Sequence, residues 1–234
     1  MTGFSPDPIR KVKKACNRKN IPLTEDVTGF LLGHYLENTG SDVAFQVGKI
    51  GTELGYSPDI DVLEMHGKKA IGYEIKGVQG NNEINKNQLY TGLGQAQLLL
   101  APPLTFSDSN GNNAQVLMLR KSYLVYPQGD ISASDEWIDK FINRIKDIPS
   151  VGLIAINPQG EPTTKVEAEP NIPSHCDSLS GLAREQCLKL DGGRLNKVLS
   201  ENNTGKSIKN PDRSLEVLAE KIAEQHDIDL ISFT

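Results

Sequence analysis

The sequence predicts an α/β fold, a mixed β-sheet flanked by helices. Three observations predict it. Several segments place apolar residues at helical period. Between them lie short alternating or wholly apolar runs bounded by Gly, Pro and Asn. Their order is helix, three strands, helix, strand, helix, strand, which combines a hairpin with crossover units.

Residues 6–19 read as a short basic helix, with Ser5 as its cap and Pro8 in its first turn. Ile21-Pro22 breaks it. A second helix is expected over 25–38. Thr24 caps it, Glu25 and Asp26 suit its positive end, and Val27, Phe30, Leu31 and Tyr35 form an apolar stripe. Residues 43–50 alternate as a strand, and 51–57 connect it onward. Residues 59–65 and 69–76 then read as two strands around His66-Gly67-Lys68, a hairpin signal. A Gly- and Asn-rich loop, 77–82, leads to a helix over 83–100, ended by Pro102-Pro103. Residues 105–113 read as a polar turn and 115–125 as a strand. Ser134 caps an amphipathic helix with Trp137, Ile138, Phe141, Ile142 and Ile145 inward, and Pro149 ends it. Residues 151–156 are a short apolar strand. From 158 to 212 the chain is polar and rich in Asn, Gly and Pro, with a hint of helix only at 179–199; an insertion or a loosely ordered lobe is expected there. A last helix over 214–226 turns Leu215, Leu218 and Ile222 inward.

The 234 residues suit one domain over 1–234, large enough to fold without a disulfide or metal staple. The net charge of -5 argues against a purely electrostatic nucleic-acid binder. The charge is uneven, however: Arg10, Lys11, Lys13, Lys14, Arg18 and Lys19 crowd into the basic N-terminal helix within 1–20, a cluster able to pair with phosphates or simply to form a solvated face. Three cysteines, Cys16, Cys176 and Cys187, are not a secreted disulfide framework. His175 with Cys176 and Cys187 lacks the paired spacing of a structural zinc site. No apolar run is long enough to span a membrane, and the basic N-terminus lacks an apolar core of signal type, so a cytoplasmic setting is expected.

The chemistry gathers at Pro58-Asp59-Ile60-Asp61 and Glu74-Ile75-Lys76. Side chains two apart on a strand share a face, so Glu74 and Lys76 point one way, as do Asp59 and Asp61. A two-residue turn at His66-Gly67 puts Asp59 opposite Glu74, and one at Gly67-Lys68 puts it opposite Lys76. Directly opposed residues lie roughly 4.5–5.5 Å apart at Cβ, so either turn unites the three groups, whereas a three-residue loop through His66, Gly67 and Lys68 without a bulge would shift the parity and separate them. Ile60, Val62, Ile71, Tyr73 and Ile75 supply an apolar face, while Asp59, Asp61, Glu74 and Lys76 gather at one end of the other. Such a set suits phosphodiester hydrolysis: carboxylates hold a hard cation and an ammonium offsets developing charge. Without a cation, two acids at this range repel, and at least one pKa rises.

These residues resemble the PD-(D/E)xK nuclease superfamily, over roughly residues 25–125. The resemblance implies a restriction-endonuclease-like core and a nuclease that hydrolyses DNA phosphodiesters with Mg²⁺ or Mn²⁺, most simply an endonuclease. It implies Asp59 and Glu74 as metal ligands and Lys76 as the residue that handles the attacking water. By the same resemblance Glu37, an acid on the helix before the first strand, completes the metal shell, and Gln95, on the helix after the lysine strand, assists. Gln88 and Gln95 share a helix face, and Gly92 and Gly94 suit a close backbone approach. The basic N-terminal helix would hold the DNA backbone, and two-strand cleavage suggests a homodimer. The competing expectation is a non-catalytic nucleic-acid-binding or assembly protein with the same fold, in which the hairpin charges are surface ion pairs worth about 0–1 kcal/mol each.

Overall fold

The computed structural model describes residues 7–18, 21–47, 50–52, 60–66, 69–79, 83–100, 104–107, 113–117, 119–129, 134–171, 181, 183 and 214–230. Its helices are α1 (Pro8–Arg18), α2 (Glu25–Asn38), α3 (Lys86–Leu98), α4 (Asp135–Lys146) and α5 (Leu215–Gln225). Its strands are β1 (Asp42–Val47), β2 (Ile50–Thr52), β3 (Ile60–His66), β4 (Lys69–Ile75), β5 (Leu104–Ser107), β6 (Asn113–Leu117), β7 (Lys121–Pro127), β8 (Val151–Ile156) and β9 (Pro162–Val166). No helix among the described residues is long and apolar enough to cross a membrane.

A six-stranded sheet runs in the order β1-β3-β4-β7-β8-β9. The pairs β1–β3, β3–β4 and β8–β9 are antiparallel; β4–β7 and β7–β8 are parallel. The parallel pairs need crossovers, which α3 and α4 provide on one face. There they cover Leu124, Tyr126, Leu153 and Ala155. The other face carries Val62, Tyr73, Ile75, Tyr123, Val125, Ile154 and Ile156, buried under α1, α2 and α5. A second, three-stranded sheet, β2-β5-β6, is made from excursions of the chain.

Local sequence explains most of these elements. Thr24, Ser134 and Ser214 cap α2, α4 and α5 by accepting the N–H of Val27, Trp137 and Val217. Asn85 caps α3 in a reciprocal box with Gln88, so this helix begins at Lys86 rather than at 83. At α1 the Asp7 carboxylate accepts the Arg10 N–H at 3.2 Å and acts as the cap expected of Ser5, which lies outside the described residues. Helix α2 is buried on nearly all sides, while Tyr35, expected inward, is 41 % exposed.

Strand boundaries required more than local pattern. The run 43–50 is divided between β1 and β2, which belong to different sheets. The expected turn at 105–113 contains part of β5, and the expected strand 115–125 is divided between β6 and β7. In the fading stretch after 158 lies β9, an edge strand that opens on Pro162 and leaves Thr163, Thr164 and Lys165 exposed. A proline and polar side chains are what a sheet edge tolerates. Residues 172–180, 182 and 184–213 lie outside the described set.

One close approach joins the layers. A Cβ at Gly77 would stand 2.0 Å from the Glu25 backbone N and 2.2 Å from the Thr24 carbonyl carbon. The exit of β4 therefore lies directly against the start of α2, and the Val78 N–H donates to the Leu23 carbonyl at 2.9 Å. Backbone cannot yield as a side-chain tip does. Gly77→Ala is expected to cost about 2–3 kcal/mol by urea unfolding; an unchanged midpoint would contradict this packing.

Candidate active site

The β3–β4 hairpin sets the frame. His66 pairs with Lys69, the register expected of the second of the two turns; residues 67 and 68 themselves lie outside the described residues. Val62 faces Tyr73 and Leu63 faces Gly72 across the ladder. Val62, Tyr73 and Ile75 form the apolar face as expected. Glu64 shares it, made tolerable by the Tyr73 phenol and by the Ser41 hydroxyl, which donates at 2.6 Å. The Tyr73 ring in turn stacks on Tyr123, centroids 5.6 Å apart. Ile60 departs from the pattern: it lies 3.7 Å from where a Gly72 Cβ would stand. The alternation of faces is thus broken between Ile60 and Val62.

Asp61 sits at that break. Its Oδ2 accepts the Ile75 N–H at 2.7 Å, which ties the start of β3 to the end of β4. Next along β4, Glu74 is only 3 % exposed. Lys76 donates from Nζ to Glu74 Oε1 at 2.6 Å and lies 3.8 Å from Glu25 Oε1. Two carboxylates therefore flank one ammonium, and the charge of Asp61 also acts on it. Burial, then the Asp61 charge, pushes the Glu74 carboxyl up to about 7 against the pull of Lys76. Burial alone would lower the Lys76 ammonium; its bond to Glu74 and the charges of Glu25 and Asp61 outweigh that and raise it. A recess of about 60 Å³ opens beside the cluster, with Glu25, Gly29, Phe45, Asp61 and Ile75 among its walls.

Helix α3 covers the opposite side. Gln88 donates to the Gly77 carbonyl at 3.4 Å, a Cβ at Gly92 would meet Lys76 Cγ at 2.9 Å, and Leu99 approaches Gly72. Gln95 lies between Gly92 and Leu99 along the same helix. Its Oε1 is buried, with no hydrogen-bond partner among the described residues. The close approach expected of two glycines holds for Gly92; at Gly94 nothing lies within 4 Å.

The other sequence candidates divide. Asp59 lies outside the described residues, as do Lys19, His175, Cys176 and Cys187. Glu37 is not at this site. It is exposed at the far end of α2, where burial and then Glu216 and Asp42 raise its carboxyl. Twelve residues of helix put it about 18 Å from Glu25 along the axis. Glu25 is the α2 acid that reaches Lys76, and no local pattern announces it, because the contact depends on Gly77 meeting α2. Asp61 was readable in part, as a carboxylate two residues from Asp59 on the same strand. Of the basic helix, Lys11 turns to the Leu230 carbonyl at 2.7 Å, whereas Arg10, Lys13, Lys14 and Arg18 line a groove. Among the described residues no group of three or more His, Cys, Asp or Glu is gathered as a ready metal shell. No protein-family model, curated protein or solved structure matches the chain.

Proposed function

We propose that the chain is a Mg²⁺-dependent nuclease with a restriction-endonuclease-like core, and that Asp61, Glu74 and Lys76 form its centre. One observation carries the reading: a buried carboxyl pushed to about 7 by its surroundings stands beside a second carboxylate and an ammonium. Perturbed titratable groups of this kind concentrate at functional sites. The donor set fits a hard divalent ion, because Mg²⁺ keeps several waters and needs only one or two carboxylates. Asp61 and Glu74 would hold it, and Asp59 is the further ligand that the family resemblance implies. The bound ion, Mg²⁺ or Mn²⁺ as its substitute, supplies Lewis acidity toward phosphoryl oxygen and lowers the pKa of a nearby water. Lys76 offsets charge on the phosphoryl oxygens, and Glu25 and Glu74 keep it protonated. Gln95 offers its buried Oε1 to a water or a substrate donor.

The test is nicking of supercoiled plasmid with Mn²⁺ or Mg²⁺ against a chelator. Wild-type protein is expected to nick only with metal, and Asp61→Asn to lose that activity; Asp59→Asn, run in parallel, shows which aspartate the reaction needs. Failure of the wild-type protein on supercoiled, linear and single-stranded DNA alike would overturn the reading.

A further inference from the structure

The basic residues of α1 form a built surface rather than a scattered one. Arg10, Lys13, Lys14, Asn17 and Arg18 face His34 of α2 across an open groove of about 570 Å³. Asp7 is the one carboxylate lining it among the described residues, and that group is engaged in capping α1 through the Arg10 N–H. Arg10, Lys14 and Arg18 are exposed and follow each other at intervals of four, one row along the helix. No carboxylate pairs with any of the three among the described residues. Like charges at this spacing weaken a helix, and α1 contains no acid in its first turn to offset them. Arg18 in the last turn suits the helix dipole, but Arg10 and Lys14 cost the fold something and gain no ion pair inside it among the described residues. Two lysines of the cluster do serve the fold: Lys11 donates to the Leu230 carbonyl and Lys13 to the Gln159 carbonyl.

We propose that the α1–α2 groove binds the phosphodiester backbone of a nucleic acid, with Arg10, Lys14 and Arg18 as its phosphate contacts and Lys13 and His34 at its floor. A row of eight residues spans about 12 Å. A duplex carries about one charge per 1.7 Å of axis, so such a row meets several phosphates at once. Among the described residues no Phe, Tyr or Trp lines the groove to stack a base, which makes the contact one of backbone charge, blind to sequence. An acidic membrane surface would also attract these cations. A helix that lies on a membrane must offer its apolar face to the lipid, however, and the apolar face of α1, Val12, Ala15 and Cys16, is buried in the protein. The groove stands apart from the acid centre, and its binding needs no metal.

The experiment is fluorescence anisotropy of a labelled mixed-sequence duplex titrated in a chelator between about 50 and 200 mM salt. Wild-type protein is compared with Arg10→Ala/Lys14→Ala and with Lys11→Ala, alongside vesicles of phosphatidylserine and phosphatidylcholine. Both altered side chains of the double variant are exposed, so its fold is retained. The double variant is expected to flatten the plot of log affinity against log salt by about 2, near 0.9 for each phosphate contact removed, equally for unrelated sequences. Lys11→Ala is expected to keep the wild-type slope. An unchanged slope in the double variant, or binding to the vesicles and not to the duplex, overturns the proposal. Because nicking is silent in chelator, a protein that binds through the groove but never cleaves keeps this inference and loses the nuclease reading. One that cleaves with an unaltered slope does the reverse.

Discussion

Lys76→Met is expected to lower plasmid nicking by roughly 10²–10³-fold, with little change in DNA affinity measured in chelator. Methionine keeps an unbranched stem where Lys76 Cγ and Cε pack over Gly92, so the α3–β4 contact survives. What disappears is the ammonium 2.6 Å from Glu74. If that group acts on the charge that develops at phosphorus, its loss falls on turnover and not on binding. Nicking at the wild-type rate would remove Lys76 from the reaction. A variant that loses duplex binding to the same degree would make its role one of docking.

Glu74→Gln is expected to flatten the pH dependence of stability. The wild-type carboxyl is pushed to about 7 in the folded chain against 4.5 for an ordinary glutamate, so the folded state binds the extra proton between those values. Its contribution is fully present below about pH 4.5 and is lost as pH rises through about 7. The full swing is about 3 kcal/mol at 1.36 kcal/mol per unit. Glutamine retains an oxygen for the Lys76 donor but cannot ionise. Urea unfolding at pH 5 and pH 8 is expected to show the wild-type protein losing stability over this window relative to the variant. Mn²⁺ competes for the same oxygens, so it is expected to restore wild-type stability at pH 8, by up to about 2.7 kcal/mol at a hundredfold excess over Kd, and to do much less for Glu74→Gln. Parallel pH profiles for the two proteins would show that Glu74 does not carry this burden.

The fold was legible where local chemistry decides it. Thr24, Ser134 and Ser214 announce their helices, and His66-Gly67-Lys68 with its alternating flanks announces the hairpin. What was not legible depends on partners far along the chain. Nothing in Leu104–Ser107 by itself separates a strand from a turn; its pairing with Ile50–Thr52 does. The division of 115–125 has the same cause, since β6 and β7 take partners in different sheets. At the site, the pairing of Glu74 with Lys76 followed from strand period alone. The substitution of Glu25 for Glu37 did not, because it rests on a β-strand end meeting a helix start. Nor did the turn of Asp61 toward the Ile75 N–H, because strict alternation does not foresee the break at Ile60.

The small β2-β5-β6 sheet imposes a timetable on folding. The β3–β4 hairpin, with Asp61 and Glu74 on it, closes between His66 and Lys69, at minimal entropic cost. Ile50 can find Phe106 only after the whole of β3, β4 and α3 has been laid down between them. Asp61 and Glu74 are therefore brought together while the small sheet is still open, and that sheet is the first part expected to let go under stress.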